Sequence, residues 1–136
     1  MKIIIEGEPV AQGRPRFSSR NGFVRVHDPQ KSSNYKKLVR SVAQRHVSEP
    51  IDKPISLLID VYRSIPQSFS KKKHLEAIEG RLRPITKPDI DNYIKGILDG
   101  LNGVAWVDDN RIVSLTVNKY YSEQPRVEVE IIQGSG

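Results

Sequence analysis

The sequence predicts a single α+β domain, built on a mixed β-sheet of about four to six strands with helices mainly on one face. Three observations lead there. Segments with the two-residue alternation of strands stand at both ends and in the middle of the chain. Segments with helical periodicity fall between them. The third is length: 136 residues suffice for one core, and no repeat or linker divides them. The domain is expected over residues 1–133, with 134–136 (Gly-Ser-Gly) as a flexible tail.

Residues 2–8 read as a strand centred on Ile3, Ile4 and Ile5. Two short segments around Phe17 and Phe23 flank Asn21-Gly22, a favoured turn pair, and predict a hairpin or an ordered basic loop carrying Arg14, Arg16, Arg20 and Arg25. Ser32 or Ser33 is expected to cap a helix running to about His46, with Tyr35, Leu38, Val39, Val42 and His46 on one face. Ile55, Leu57, Ile59 and Val61 alternate with Ser56, Leu58, Asp60 and Tyr62, as in a strand with one buried face. Asp60 on that strand approaches either an acidic site or a surface lysine; the sequence does not choose. Ser68 or Ser70 caps a short helix over residues 71–79, ended by Gly80. Residues 114–121 and 126–132 read as two closing strands.

Residues 87–111 hold five of the 16 acidic residues and the only Trp. Pro88 keeps Lys87 extended, and Asp89 and Asp91 stand where a helix begins. At about 100° per residue, Lys95 and Asp99 fall within roughly 80° of Asp91, while Tyr93, Ile94, Ile97, Leu98 and Leu101 share the opposite face. Asn102-Gly103 ends the helix. Residues 104–107 are expected to form a short strand that turns the chain back, so that Asp108-Asp109 converge on Asp89 and Asp91. Taken singly, Asp91 is a helix cap, Asp91 and Lys95 an i,i+4 ion pair, and Asp108-Asp109-Asn110 a solvated turn. Together they describe carboxylates that repel unless a cation holds them. A set without His or Cys suits Mg2+ or Mn2+.

Lys87-Pro88-Asp89-x-Asp91-Asn92-x-x-Lys95, then Asp99-x-Leu101-Asn102-Gly103 and Trp106-x-Asp108-Asp109, resembles the RusA family of Holliday junction resolvases. Its core motif is Asp-x-Asp-Asn-x-x-Lys, with a Trp-x-Asp-Asp element further on. Gly13-Arg14-Pro15-Arg16 also resembles a segment common in members from phages and Gram-positive bacteria. The resemblance implies a small homodimeric endonuclease, dependent on Mg2+ with Mn2+ as an alternative, that cuts four-way junction DNA symmetrically in recombination and repair. It implies that Asp89, Asp91 and Asp109 hold the metal, with Asp108 as helper or fourth ligand. Lys95 would stabilise charge on the phosphate or the leaving oxygen. Asp99 either orients Lys95 or is a structural partner.

The net charge is +6, unevenly spread. Residues 1–88 carry 18 basic and 8 acidic side chains, and residues 89–136 carry 4 and 8. A basic body around a local acidic cluster, at a pI near 9.7, suits a protein that grips a polyanion by its flanks. Arg14, Arg16, Lys71, Lys72, Lys73, Lys87 and Arg111 are the expected DNA contacts. The lysine run opposes the dipole of the helix it begins, which suggests a phosphate-facing role, although a mobile loop explains it equally well. The absence of Cys excludes disulfides and thiolate zinc sites. It fits a reducing cytoplasm, and no apolar run approaches a membrane span. Two rivals remain: a flap or single-strand nuclease using the same metal, and a junction-binding protein without catalysis. The second gains nothing from carboxylates beside phosphates.

Overall fold

A computed structural model of the chain describes all but residues 14, 15, 21, 22, 28, 135 and 136, and only the backbone of 16–20 and 23–27. The elements run β1 (Lys2–Glu6), β2 (Arg16–Arg20), β3 (Phe23–His27), α1 (Gln30–His46), β4 (Ile55–Ser64), α2 (Lys71–Ile78), α3 (Ile90–Leu101), a 3-10 turn at Asp109–Arg111, β5 (Ile112–Ser122) and β6 (Arg126–Gln133). Four strands form one mixed sheet in the order β1-β6-β4-β5, and β2 pairs with β3 as a separate hairpin. Only β4 and β5 run parallel. The α+β expectation is met. Arg14 and the Asn21-Gly22 turn lie outside the described residues, as do the side chains of Arg16, Phe17, Arg20, Phe23 and Arg25.

Alternation builds the core. Ile3 and Ile5 of β1, Val127, Val129 and Ile131 of β6, and Ile55, Leu57, Ile59 and Val61 of β4 all point to one side. There they meet Tyr35, Val39 and Ala43 of α1 and Tyr93, Ile94, Ile97 and Leu101 of α3. The two helices approach closely because of α3's glycines. A Cβ on Gly100 would lie 2.9 Å from Val39 Cβ and 3.1 Å from the Lys36 carbonyl. A Cβ on Gly96 would meet Gln12 and Val10 at ordinary contact distance, the Gln12 nitrogen nearest at 3.6 Å.

Several local expectations are corrected. α1 begins at Gln30, with no side-chain cap. Ser32 is buried one turn inside, where its hydroxyl accepts from the Gly13 N–H at 2.8 Å and donates to the Ala11 carbonyl at 3.3 Å. It anchors the segment leaving β1 rather than a helix end. The inward stripe of α1 is Ser32, Tyr35, Val39 and Ala43, whereas Leu38 is exposed and so is His46. Gly100 draws Val39 to the centre of the contact, and the stripe shifts accordingly. Residues 104–107 form no strand: Trp106 makes isolated bridges to Ile51 and Asn102. The leg that returns past α3 is β5. Other expectations hold. Ser70 caps α2 by accepting from the Lys73 N–H at 3.2 Å. Gly103 takes φ of +80° after α3. Gly134, by contrast, expected in the flexible tail, instead donates to the Pro54 carbonyl at 3.0 Å.

The other sheet face is open and largely polar. Across it, Arg83 lies over Tyr120 at 4.1 Å, Tyr120 stacks on Tyr62 at 5.3 Å, and Arg126 covers Tyr62 at 3.9 Å. Asp60 is on this face, accepting from Asn118 Nδ2 at 3.1 Å. It therefore lies on the opposite side of the sheet from α3 and is held by Asn118. At the sheet's edge, β5 has no fully buried residue.

The glycines of α3 make a paired test. Helix propensity favours Ala over Gly by about 1 kcal/mol, and a forced contact costs about 1–3 kcal/mol. Gly96→Ala should therefore be neutral or slightly stabilising. Gly100→Ala should lower the melting temperature by several degrees, since the Lys36 carbonyl cannot swing aside. Thermal unfolding of both variants measures this, and a rise with Gly100→Ala would refute the α1–α3 packing.

Candidate active site at the two ends of helix α3

The sequence-predicted acidic residues gather at the ends of α3. At its start, Asp89 is the N-cap residue with extended backbone (φ −73°, ψ 157°), yet its side chain makes no capping bond. Asp91 stands exposed in the first turn. Neither carboxylate is consumed by the helix.

The segment entering α3 is held from two strands. Arg63, near the end of β4, donates from its guanidinium to the Thr86 carbonyl at 3.1 Å and to Thr86 Oγ1 at 3.3 Å. Lys119, on β5, donates from Nζ to the carbonyls of Thr86 at 3.2 Å and Pro88 at 3.1 Å. Partial burial lowers the Lys119 ammonium below the usual lysine range; the Arg63 charge adds to this and the Asp89 carboxylate opposes it. Between this end of α3 and residues 8–13 lies a cleft of about 700 Å³, with Lys31, Arg63, Lys87, Glu8 and Asp89 as its charged lining. The Gln12 N–H, donating to the Asn92 carbonyl at 2.9 Å, fastens its wall to the helix.

Past the other end of α3, Trp106 is completely buried. Its one polar atom, Nε1–H, donates to Asp109 Oδ1 at 2.7 Å. A buried indole N–H needs an acceptor, and here the acceptor is a predicted ligand. Asp108 is exposed immediately before the 3-10 turn. Arg111 is turned to Asp52, at 2.7 Å.

The two acidic pairs do not converge. Twelve residues of helix separate them by roughly 16 Å along the axis. The sheet agrees: Ile112 pairs with Ile55 near Asp109, and Lys119 pairs with Val61 near Asp89, roughly 20 Å along the strands. The expectation fails because Asp108-Asp109 precede the returning strand instead of following it. Among the described residues, no three His, Asp or Glu side chains are close enough to hold a metal ion. The donors themselves, two carboxylates at each end and no nitrogen or sulfur, have the chemistry of a hard-cation site.

The remaining predicted residues scatter. Lys95 lies exposed midway along α3, and among the described residues no ion pair joins it to Asp91 or Asp99. Asp99 faces Lys36 of α1 at 3.4 Å, so it does not orient Lys95. Lys71, Lys72 and Lys73 are exposed on the first turn of α2, with Lys73 Nζ 5.9 Å from the Phe69 ring centre. Of the basic residues leading to Asp89, only Lys87 lines the cleft; Arg81 pairs with Glu79 and Arg83 donates to the Lys119 carbonyl. Arg63 and Lys119 escaped the sequence reading. Lys119 had left a signal: it occupies the position after Val113, Leu115 and Val117 in an apolar alternation.

Among the described residues, no helix is long and apolar enough to cross a membrane. The family model described as Endodeoxyribonuclease RusA matches residues 6–132. The chain is 52% identical over 134 residues to a protein of Bacillus subtilis (strain 168) called uncharacterized protein YqaN, with 96% of this chain and 94% of that one covered.

The Trp106–Asp109 contact is testable through stability. Trp106→Phe removes the donor and leaves a void, and should cost about 1–3 kcal/mol. Asp109→Asn keeps an acceptor oxygen at a half-exposed site and should cost less than about 1 kcal/mol. Urea unfolding of the two variants compares them. Equal losses would detach Trp106 from Asp109.

Proposed function

The chain belongs to the RusA family of endodeoxyribonucleases, and from that premise we propose that it is a Mg2+-dependent, structure-specific endonuclease that resolves Holliday junctions by paired, symmetric strand cuts in cytoplasmic DNA. One observation carries the reading. Asp89 and Asp91 stand at a helix start with their carboxylates uncommitted, beside a cleft that brings Lys31, Arg63 and Lys87 to the same place. Basic groups flanking a carboxylate pair are what a scissile phosphate and a divalent cation need together.

The separation of the acidic pairs adds a condition. A site using Asp89, Asp91 and Asp109 cannot close within one chain, because α3 stands between its parts. A symmetric dimer supplies the missing half, Asp89 and Asp91 coming from one protomer and Asp108 and Asp109 from the other. It also supplies what the substrate requires: resolution needs two cuts related by a two-fold axis, and a two-fold dimer carries two sites so related. Mg2+ held there would polarise the scissile phosphate and make a water molecule more acidic. The chain's own groups do the rest. Asp109 is aimed by Trp106, Asp89 is held by the segment that Arg63 and Lys119 fasten, and Lys95, exposed beside Asp91, meets charge developing on the phosphate. Lys87, Lys71, Lys72, Lys73, Arg14 and Arg16 hold the flanking strands. Arg111, turned to Asp52, contributes only if DNA displaces that partner.

Incubation with a synthetic four-way junction, with and without Mg2+, tests the activity. Symmetric paired cuts that need the metal are expected. Cutting confined to flaps or single strands would identify the other nuclease, and a mobility shift without cutting would identify a binder. Asp89→Asn, Asp91→Asn and Asp109→Asn should each abolish cleavage with binding retained. Mixing Asp91→Asn with Asp109→Asn should restore cutting, since half of a mixed dimer's shared sites are intact. Sites complete within one chain would leave the mixture dead.

Lys95 separates catalysis from packing. Lys95→Ala should slow single-turnover cleavage about 100-fold while junction affinity and melting temperature stay near those of the parent. A loss in affinity alone would make it a phosphate contact.

A further inference from the structure

Helix α2 gives little of itself to the core. Of its residues only Ala77 is buried, and its two large aliphatic side chains, Leu75 and Ile78, are 53% and 48% exposed. At helical spacing Lys71, Leu75 and Ile78 stand about one turn apart on one face. That face borders two hollows. One, of about 430 Å³, is lined by Phe69, Lys71, His74 and Leu75. The other, of about 230 Å³, lies between Ile78, Tyr121 and Arg126. The helix is fastened well enough to present them as a fixed shape. Phe69 stands edge-on to Tyr121 at 5.5 Å, His74 Nε2 lies 3.0 Å from Glu123 Oε1, and Ser70 caps the first turn. Positive charge rims the apolar face at one end. Lys71, Lys72 and Lys73 are exposed, and among the described residues no ion pair engages any of them.

We propose that α2 docks a short acidic segment of another protein, with apolar side chains seated beside Leu75 and Ile78 and carboxylates on Lys71 and Lys72. Complementarity selects this occupant. Phosphate engages the lysines alone and leaves Leu75 and Ile78 in water. A nucleobase needs an open aromatic face, whereas Lys73 Nζ lies over the Phe69 ring at 5.9 Å and aliphatic side chains offer no plane to stack on. A second copy of the chain, paired through α2 about a two-fold axis, would set the same lysines face to face. A peptide with apolar anchors next to carboxylates matches both halves of the surface. Exposed ion pairs contribute little to affinity, so the apolar contacts hold the peptide. The lysines speed its approach and reject basic segments. Lys71 and Lys72, assigned above to flanking DNA, serve either ligand in turn. The surface thus adds recruitment to a protein partner, and it depends on neither the metal nor the shared site.

Random peptides displayed on phage would be panned against the full-length protein, and the enriched sequences synthesised with a fluorescent label for anisotropy titration. Enriched peptides should combine carboxylates with apolar residues. Their affinity should fall at least about tenfold for the Leu75→Ser, Ile78→Ser double variant, and by a similar factor for Lys71→Ala with Lys72→Ala. Serine in place of the peptide's apolar residues should abolish binding. Leu75→Glu keeps a good helix former and sets like charge against the peptide, so it should weaken binding equally while circular dichroism stays that of the parent. Junction affinity and cleavage should be unchanged in the Leu75 and Ile78 variants, which separates this surface from the nuclease site. Failure to enrich any peptide overturns the proposal, as does equal binding of the enriched peptides to parent and variants. A loss of junction affinity on replacing Leu75 and Ile78 would overturn it in favour of DNA on this face. A halved mass in light scattering would overturn it in favour of a second copy of the chain.

Discussion

The contact of Gly100 with Val39 sets the position of α3, and the position of α3 sets nearly everything that bears on function. Without a side chain at residue 100, α3 lies directly on α1 and covers β4 and β6. Its two ends then point to opposite ends of the sheet. The segment before it reaches Lys119 and Arg63; the segment after it brings Trp106 back to Ile51 and the start of β5. The same placement packs Ile112 and Val117 of β5 against the core but leaves Val113 and Leu115 exposed at the sheet's edge. Separated carboxylates and an exposed strand edge are thus two consequences of one packing arrangement.

Much of this was legible in the sequence. The alternation of Ile55, Leu57, Ile59 and Val61 located the central strand, and the periodicity of α3 located its buried face. Ser70 and Gly103 marked helix ends by local chemistry alone. The failures share a cause. Ser32 looked like a cap, but its hydroxyl is used by residues 11 and 13, a distant segment that no local pattern announces. The expected convergence of Asp89, Asp91, Asp108 and Asp109 depended on where the chain reverses. Spacing along a sequence does not distinguish a turn before a strand from a turn after one. The identities of the acidic residues were readable; their distances were tertiary facts.

The two uncovered surfaces of the sheet show why exposure alone is a poor guide. The open face bears Tyr62 and Tyr120, large groups with much apolar area, yet Arg83 and Arg126 close both sides of the stack. Glu128 accepts from Arg126 and Lys2, bonds that hold its carboxyl below the usual range although burial pushes the other way. That face satisfies itself. Among the described residues, Val113 and Leu115 have no such neighbours, and β5 pairs on one side only, with β4.

A shared site also has a kinetic consequence for a nuclease. If each chain held a complete centre, a dissociated protomer would still nick DNA. With the carboxylates divided by the length of α3, a lone chain presents only two of them at either end, short of the set that the proposed shared site would use. Cutting then depends on pairing, and pairing creates both sites at once. For a four-way junction this matters because one cut without its symmetric counterpart leaves a nicked branch, whereas two sites formed by one association event are present together or not at all. The rigid helix that keeps the acidic pairs apart in one chain is, on this view, what couples the two cuts.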